Sequence, residues 1–146
     1  MFVYHTHVRL KDTDVTGVLY FTEQFRMAQE ALEEFLKERG FPLRQLLDSP
    51  YLMPIVHARG DYFAPLTVGD ELEISLKVVK LGTSSVTLEF TFHDPDRKFD
   101  VGKVQIVHVV MDKEKRVPIP IPDFIRTILI PESAIHLDFL RPPFSV

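Results

Sequence analysis

The sequence predicts an α+β domain in which an antiparallel sheet of about five strands curls around one long helix. Three observations carry that prediction. Phe21, Phe25, Ala28, Leu32, Phe35 and Leu36 recur at helical spacing and define one amphipathic stretch. Leu72, Ile74, Leu76 and Val78, then Val86, Leu88, Phe90 and Phe92, alternate with polar residues, the period of half-buried strands. The later strands are joined mostly by hairpin-length turns, so they pair antiparallel, and a lone helix must bury its apolar stripe against the sheet they form.

Each element follows from its own residues. Residues 2–10 alternate, with Tyr4, Thr6, Val8 and Leu10 on one face and Val3, His5, His7 and Arg9 on the other, which predicts a first strand. The loop 11–17 leads into the helix, for which Thr22 is a candidate cap and Glu23 suits the first turn. Arg39-Gly40 supplies a stop, and Pro42 prevents early resumption. Residues 41–53 read as a connection with a short helical turn around Leu43–Leu47. A second strand covers 55–63, and Pro65 and Val68-Gly69-Asp70 mark a loop before the alternating strands begin. His93-Asp94-Pro95-Asp96 is a turn cluster, and a last strand at 101–111 places Val104, Ile106, His108 and Val110 on one face. Asp123–Leu129 predicts a short helix capped by Asp123. The expected domain spans 1–130, and 131–146 is set apart as a proline-rich tail.

Composition narrows the function. The chain has 146 residues, 45% of them apolar and 26% charged, enough for one packed core. A net charge of −4 argues against a nucleic-acid partner, which favours a basic face. With no cysteine there is no disulfide framework and no thiol nucleophile. No apolar run approaches the roughly 20 residues of a membrane span, and the start lacks a signal peptide's pattern; the expectation is a soluble, cytoplasmic protein. His5 and His7 share a strand face, as metal ligands would, but no third ligand stands near them in sequence, and no metal site is expected.

The chemistry concentrates in Lys11-Asp12-Thr13-Asp14-Val15-Thr16-Gly17-Val18-Leu19-Tyr20-Phe21-Thr22. Two carboxylates and a glycine stand directly before the start of the long helix. A helix start presents unpaired N–H groups and a partial positive charge, suited to a developing oxyanion. Asp14 is the candidate reacting carboxylate, and the Tyr20–Thr22 backbone the candidate polariser of a carbonyl. Asp12 reads as a turn former or as a residue that orients the loop. Gly17 suits a positive φ. Glu30, Glu33 and Glu34, in the middle of the helix, are rival acids.

These residues resemble a known family. Asp12-Thr13-Asp14-Val15-Thr16-Gly17-Val18-Leu19-Tyr20-Phe21 is similar to the D-x-D-x-x-G-[VI]-[VL]-[YW]-[FYH] signature of the 4-hydroxybenzoyl-CoA thioesterase-like branch of hot-dog acyl-CoA thioesterases. Tyr62-Phe63-Ala64-Pro65-Leu66-Thr67-Val68-Gly69-Asp70-Glu71-Leu72 resembles its Y-x-x-P-x-x-x-G-D-x-L stretch, and Val79-Lys80-Leu81-Gly82-Thr83-Ser84-Ser85 fits the turn that follows. Met53-Pro54-Ile55-Val56-His57 and Ile106-Val107-His108-Val109 look closest to the 1,4-dihydroxy-2-naphthoyl-CoA hydrolases. The similarity covers roughly residues 3–130.

The resemblance implies a thioesterase that releases free acid and CoA, with an aromatic acyl group such as 1,4-dihydroxy-2-naphthoyl. It implies Asp14 as the catalytic carboxylate and the backbone N–H of Phe21 as donor to the thioester oxygen. Gly17 would let the loop approach substrate, with Tyr20, His57 and Lys80 as further candidate binding residues. Arg59, Lys77, Arg97, Lys98 and Lys103 join Lys80 as possible partners for the CoA phosphates. It implies a homodimer or homotetramer with the acyl pocket between subunits, and neither metal nor redox cofactor. An aliphatic acyl-CoA thioesterase, a hot-dog hydratase or dehydratase, and a non-catalytic acyl-CoA-binding or scaffolding module are the alternatives.

Overall fold

A computed structural model describes residues 2–130 of the chain. The proline-rich tail at 131–146, and with it the expected boundary at 130, lies outside the described residues. The chain begins with β1 (Val3–His7), makes a 3-10 turn at Leu10–Asp12, and enters α1 (Phe21–Glu38). After α2 (Leu43–Asp48) come β2 (Tyr51–Leu52), β3 (Ile55–Tyr62), β4 (Glu71–Leu81), β5 (Ser85–Asp94) and β6 (Phe99–Val109). A short β7 (Met111–Asp112) and α3 (Asp123–Leu129) complete the described chain.

The main sheet has five strands in the order β1-β4-β5-β6-β3, every neighbouring pair antiparallel. Leu72, Ile74 and Leu76 of β4, Val86, Leu88, Phe90 and Phe92 of β5, and Val104 and Ile106 of β6 point into the core. α1 has 18 residues and meets them with Met27, Ala28, Ala31, Leu32, Phe35 and Leu36. Removing that apolar surface from water, at about 25 cal/mol per Å², is the main force holding helix to sheet. Close approach at the first turns of α1 depends on Gly102. A Cβ there would lie 2.4 Å from Gln24 Oε1 and 3.1 Å from the Asp61 carbonyl oxygen. Buried Gln24 uses this space to donate from Nε2 to the Asp61 carbonyl at 3.1 Å, fastening α1 to β3.

Several expectations need correction. The first strand stops at His7, because residues 10–12 turn as a 3-10 helix, and this leaves Leu10 exposed rather than inward. Phe21 is 57% exposed; it starts the helix before the stripe reaches the sheet. The residue capping α1 is Tyr20, not Thr22, and Pro122, not Asp123, precedes α3; neither cap makes a side-chain hydrogen bond. The two-residue ribbon formed by β2 and β7 has no periodicity of its own, since residues that short take their conformation from their partner.

His108, expected on the inner face of the last strand, is buried. Its Nδ1 donates to the Met53 carbonyl at 2.9 Å, tying β6 to the segment before β3. Burial pushes its pKa below the ordinary value near 6.5, against a smaller raising effect of the Met53 bond. The folded pKa lies below the unfolded one, so the unfolded chain binds the extra proton. The stabilisation is complete above about pH 6.5 and is lost as pH falls through the folded pKa. Unfolding free energies from urea titrations between pH 7.5 and 5 should therefore fall, by at most about 1.4 kcal/mol per pH unit from this residue. His108→Gln should flatten that part of the profile.

Candidate active site

The segment between the 3-10 turn and α1 folds as a miniature hairpin. Thr13 pairs with Leu19, and the Asp14 N–H donates to the Val18 carbonyl at 2.9 Å. The turn closes where the Gly17 N–H donates to the Asp14 carbonyl at 3.0 Å. Gly17 has φ +78°, a left-handed value at which a side chain is strained, and among the described residues nothing lies within 4 Å of where its Cβ would be. In a single chain the glycine is thus explained by the turn rather than by a close neighbour. Leu19 N–H donates to the Leu66 carbonyl at 2.7 Å, and Val18 pairs with Thr67, so the hairpin leans on the loop that carries the second motif.

Asp14 stands exposed at the start of this turn. Its Oδ1 accepts the Thr16 N–H at 2.8 Å and also the Thr16 hydroxyl. Its Oδ2 has no partner among the described residues. The Thr16 hydroxyl, and then the Thr16 N–H, hold the carboxyl below the ordinary carboxylate range. One oxygen is therefore fixed, the other is free, and the group is charged at neutral pH.

The other arm of the hairpin ends at the helix. Tyr20 donates its N–H to the Asp12 carbonyl at 2.8 Å, and the Glu23 N–H returns to the Tyr20 carbonyl at 2.9 Å. Between them, the N–H groups of Phe21 and Thr22 have no acceptor among the described residues. They are the bare donors at a helix start. The Tyr62 hydroxyl, on the end of β3, donates to the Phe21 carbonyl and anchors the same turn from the sheet side. Burial pushes the Tyr62 phenol up, so it remains a donor. An open crevice of ≈ 220 Å³ adjoins this corner, walled by Val18, Leu19, Gln24 and Tyr62–Leu66. Asp14 does not belong to its wall.

The fold does not gather all the candidates. Asp14, Gly17, Tyr20 and Phe21 share the hairpin and helix start, but His57 is exposed midway along the edge strand β3. Lys80 lies near the far end of β4, roughly 30 Å along the strand from Glu71, beside which the hairpin docks. Of the other bases, Arg97 is engaged by Asp94 at 2.6 Å, Arg59 by Asp61 at 3.4 Å and Lys103 by Glu89 at 3.4 Å. The rival acid Glu30 is taken up by Arg26 and by the Tyr4 hydroxyl at 3.3 Å. Glu34 faces solvent, and Glu33 borders a separate apolar cavity of ≈ 130 Å³ below Leu32 and Leu36. Gln24 carries no sequence signal for the site, and Tyr62 stands out only as the first residue of the second motif and as one of the aromatics, with Phe21, Phe25 and Phe63, that could line a pocket or simply fill the core. The importance of Gln24 and Tyr62 comes from contacts 37 and 41 residues away in sequence, which no local pattern reports. Among the described residues, no group of three His, Cys, Asp or Glu is placed to hold a metal, and no helix is long and apolar enough to cross a membrane.

A five-stranded antiparallel sheet with a helix packed on one face, entered through a carboxylate-bearing hairpin, is the architecture of a hot-dog thioesterase domain. The chain belongs to the Thioesterase-like superfamily, whose profile matches residues 8–129. It is 36% identical over 123 residues to a 1,4-dihydroxy-2-naphthoyl-CoA hydrolase of Nostoc punctiforme, covering 84% of this chain and 82% of the relative. A crystal structure of a 1,4-dihydroxy-2-naphthoyl-CoA thioesterase from Synechocystis superposes with a TM-score of 0.82 at 28% identity, covering 88% of this chain and 94% of that one. A gentisyl-coenzyme A thioesterase superposes with a TM-score of 0.77 at 30% identity, covering 88% of this chain and 99% of that one.

Proposed function

We propose that this chain hydrolyses the thioester of an aromatic acyl-CoA, of which 1,4-dihydroxy-2-naphthoyl-CoA is the leading candidate, to free acid and CoA. The observation that carries the reading is that one short hairpin bears a carboxylate with one oxygen free, Asp14, and runs directly into the helix start where the Phe21 N–H is unfilled among the described residues. Both structural relatives described above are named for esters of hydroxylated aromatic acids.

A thioester carbonyl is already electrophilic, so the site has little to supply. In this reading the Phe21 N–H receives the carbonyl oxygen as it gains charge. Asp14 Oδ2 either takes a proton from an attacking water or adds to the carbonyl carbon itself. The first route expels the CoA thiolate from a tetrahedral intermediate. The second expels it to leave an acyl–Asp14 anhydride, which water then cleaves. Neither route needs a metal or a redox cofactor.

The described residues leave this corner open. Tyr20, Phe21, Tyr62 and Phe63 are 45%, 57%, 46% and 57% exposed, and among the described residues β3 has no partner on its outer edge, with Ile55 and Val56 exposed beside it. Aromatic surface of that extent next to a bare strand edge favours a second copy of the chain as its cover. The proposed working unit is therefore a homodimer, or a tetramer built from it, with the acyl group held between subunits.

A thiol-release assay over naphthoyl, benzoyl and aliphatic CoA esters tests the reading, with sedimentation velocity on the same preparation. The expected result is turnover fastest on the hydroxylated aromatic esters by a species larger than one chain. Preference for aliphatic esters would replace the substrate class. An enoyl absorbance change without free thiol would replace the reaction by hydration or dehydration. Binding without any release would leave a scaffolding module.

A further inference from the structure

Asp12 is fully buried, with 0% of its side chain exposed, although it lies two residues from a solvent-facing carboxylate. Its Oδ2 accepts the Arg9 N–H at 2.8 Å, and its Oδ1 accepts Arg26 Nη2 at 2.8 Å, with Lys11 Nζ at 3.4 Å. Arg26 sits in the second turn of α1, and its other guanidinium nitrogens are held by Glu23 and Glu30 of the same helix. Its planar fork is thus filled on every side, and its orientation is set by α1. Asp12 also supplies the carbonyl that receives the Tyr20 N–H at 2.8 Å. One residue therefore joins the incoming arm of the hairpin to its outgoing arm and joins both to the helix.

We propose that Asp12 and Arg26 are positioning residues, whose ion pair, buried at its carboxylate end, clamps the Asp14 hairpin onto α1 and so fixes Asp14 relative to the Phe21 N–H. The proposal rests on the reading of Asp14 given above. The pair touches neither substrate nor reacting atoms. It acts through the backbone from Asp12 to Asp14 on one side and from Arg26 to Phe21 on the other. Misplacing a reacting group by about 1 Å can cost on the order of a hundredfold in rate, so a loosened clamp acts on kcat far more than on KM.

The test compares wild type, Asp14→Asn, Arg26→Gln and the double variant Asp12→Asn/Arg26→Gln on the best thioester found, with melting temperatures for all. The double variant leaves neither Asp12 nor Arg26 charged, so it keeps the fold even where the single variant, which leaves the Asp12 carboxylate without its guanidinium, does not. The expected result is a kcat about tenfold to a hundredfold below wild type in the double variant, a KM within about threefold, and an unchanged melting temperature. A kcat within about twofold of wild type in the double variant, with Asp14→Asn inactive, overturns the proposal and leaves the functional reading standing. A melting temperature that falls together with kcat and a raised KM shows a merely structural pair and also overturns it. Full turnover by Asp14→Asn removes the functional reading and the proposal with it.

Discussion

Phe21→Pro is expected to lower turnover about 10²–10³-fold relative to Phe21→Ala while leaving the fold intact. The comparison isolates one hydrogen atom. Both variants lose the phenyl ring, but only proline lacks the N–H assigned to the thioester oxygen. Proline is normally destructive in a helix, yet Phe21 is the first helical residue of α1, where the missing N–H breaks no helical hydrogen bond. The preceding residue also permits it: Tyr20 has φ −66° and ψ 134°, the extended conformation that a residue before proline adopts. The Phe21 carbonyl that receives the Tyr62 hydroxyl is untouched by the change. Circular dichroism should give equal helix content for the two variants, and thiol release should separate them. Equal turnover would remove this amide from the mechanism.

Asp14→Asn is the second large effect, an expected loss of about 10²–10⁴-fold in kcat with an unchanged melting temperature. Asparagine keeps an oxygen for the Thr16 N–H and hydroxyl, so the turn survives, while the charge and the free basic oxygen are gone. The pH profile of wild type offers a check that needs no mutation. Thr16 holds Asp14 below the ordinary carboxylate range, so the group stays charged at pH values where an unperturbed aspartate, near 3.9, begins to protonate. The acid limb of kcat/KM should fall below that value. Thr16→Val, which removes the hydroxyl, should move the limb upward. A limb set by the rival acids Glu30 or Glu33 would be unmoved by Thr16→Val and abolished by the corresponding glutamine.

The elements were legible wherever a period ran long enough to be read. The apolar stripe of α1 and the alternation in β4 and β5 report burial directly, because the hydrophobic effect sorts side chains by face. The ends were less legible. Tyr20 caps α1 because the Asp12 carbonyl and the docked loop at Leu66 place it there, and nothing local in Tyr20-Phe21-Thr22 prefers it to Thr22 as a cap. Leu10 fits the alternation of the first strand and yet points to solvent, since the 3-10 turn breaks the period one pleat early.

The candidate site divides in the same way. Asp14, Gly17 and the helix start are contiguous in sequence, so a motif of ten residues could hold them together, and one short hairpin carries them. Lys80, a cation near the Gly82 turn, and His57, on the second predicted strand, are candidates from chemistry and position outside that motif, and the chain sets them on other parts of the sheet. Asp12 reads from sequence as a turn former or as a residue that orients the loop, and nothing local names Arg26 as its partner. Their pairing spans 14 residues and a change of element.

By itself the sequence determined the class of fold, the order of its main elements and the candidate segment for the chemistry, because periodicity, turn residues and a compact motif are local properties. Tertiary structure alone decided which carboxylate is buried and which is free, which amides at the helix start stay empty, and which distant side chains brace them. Those outcomes depend on burial and on hydrogen-bond partners supplied from other strands. A carboxylate's environment is a property of the space around it, and two aspartates two residues apart can face opposite ones.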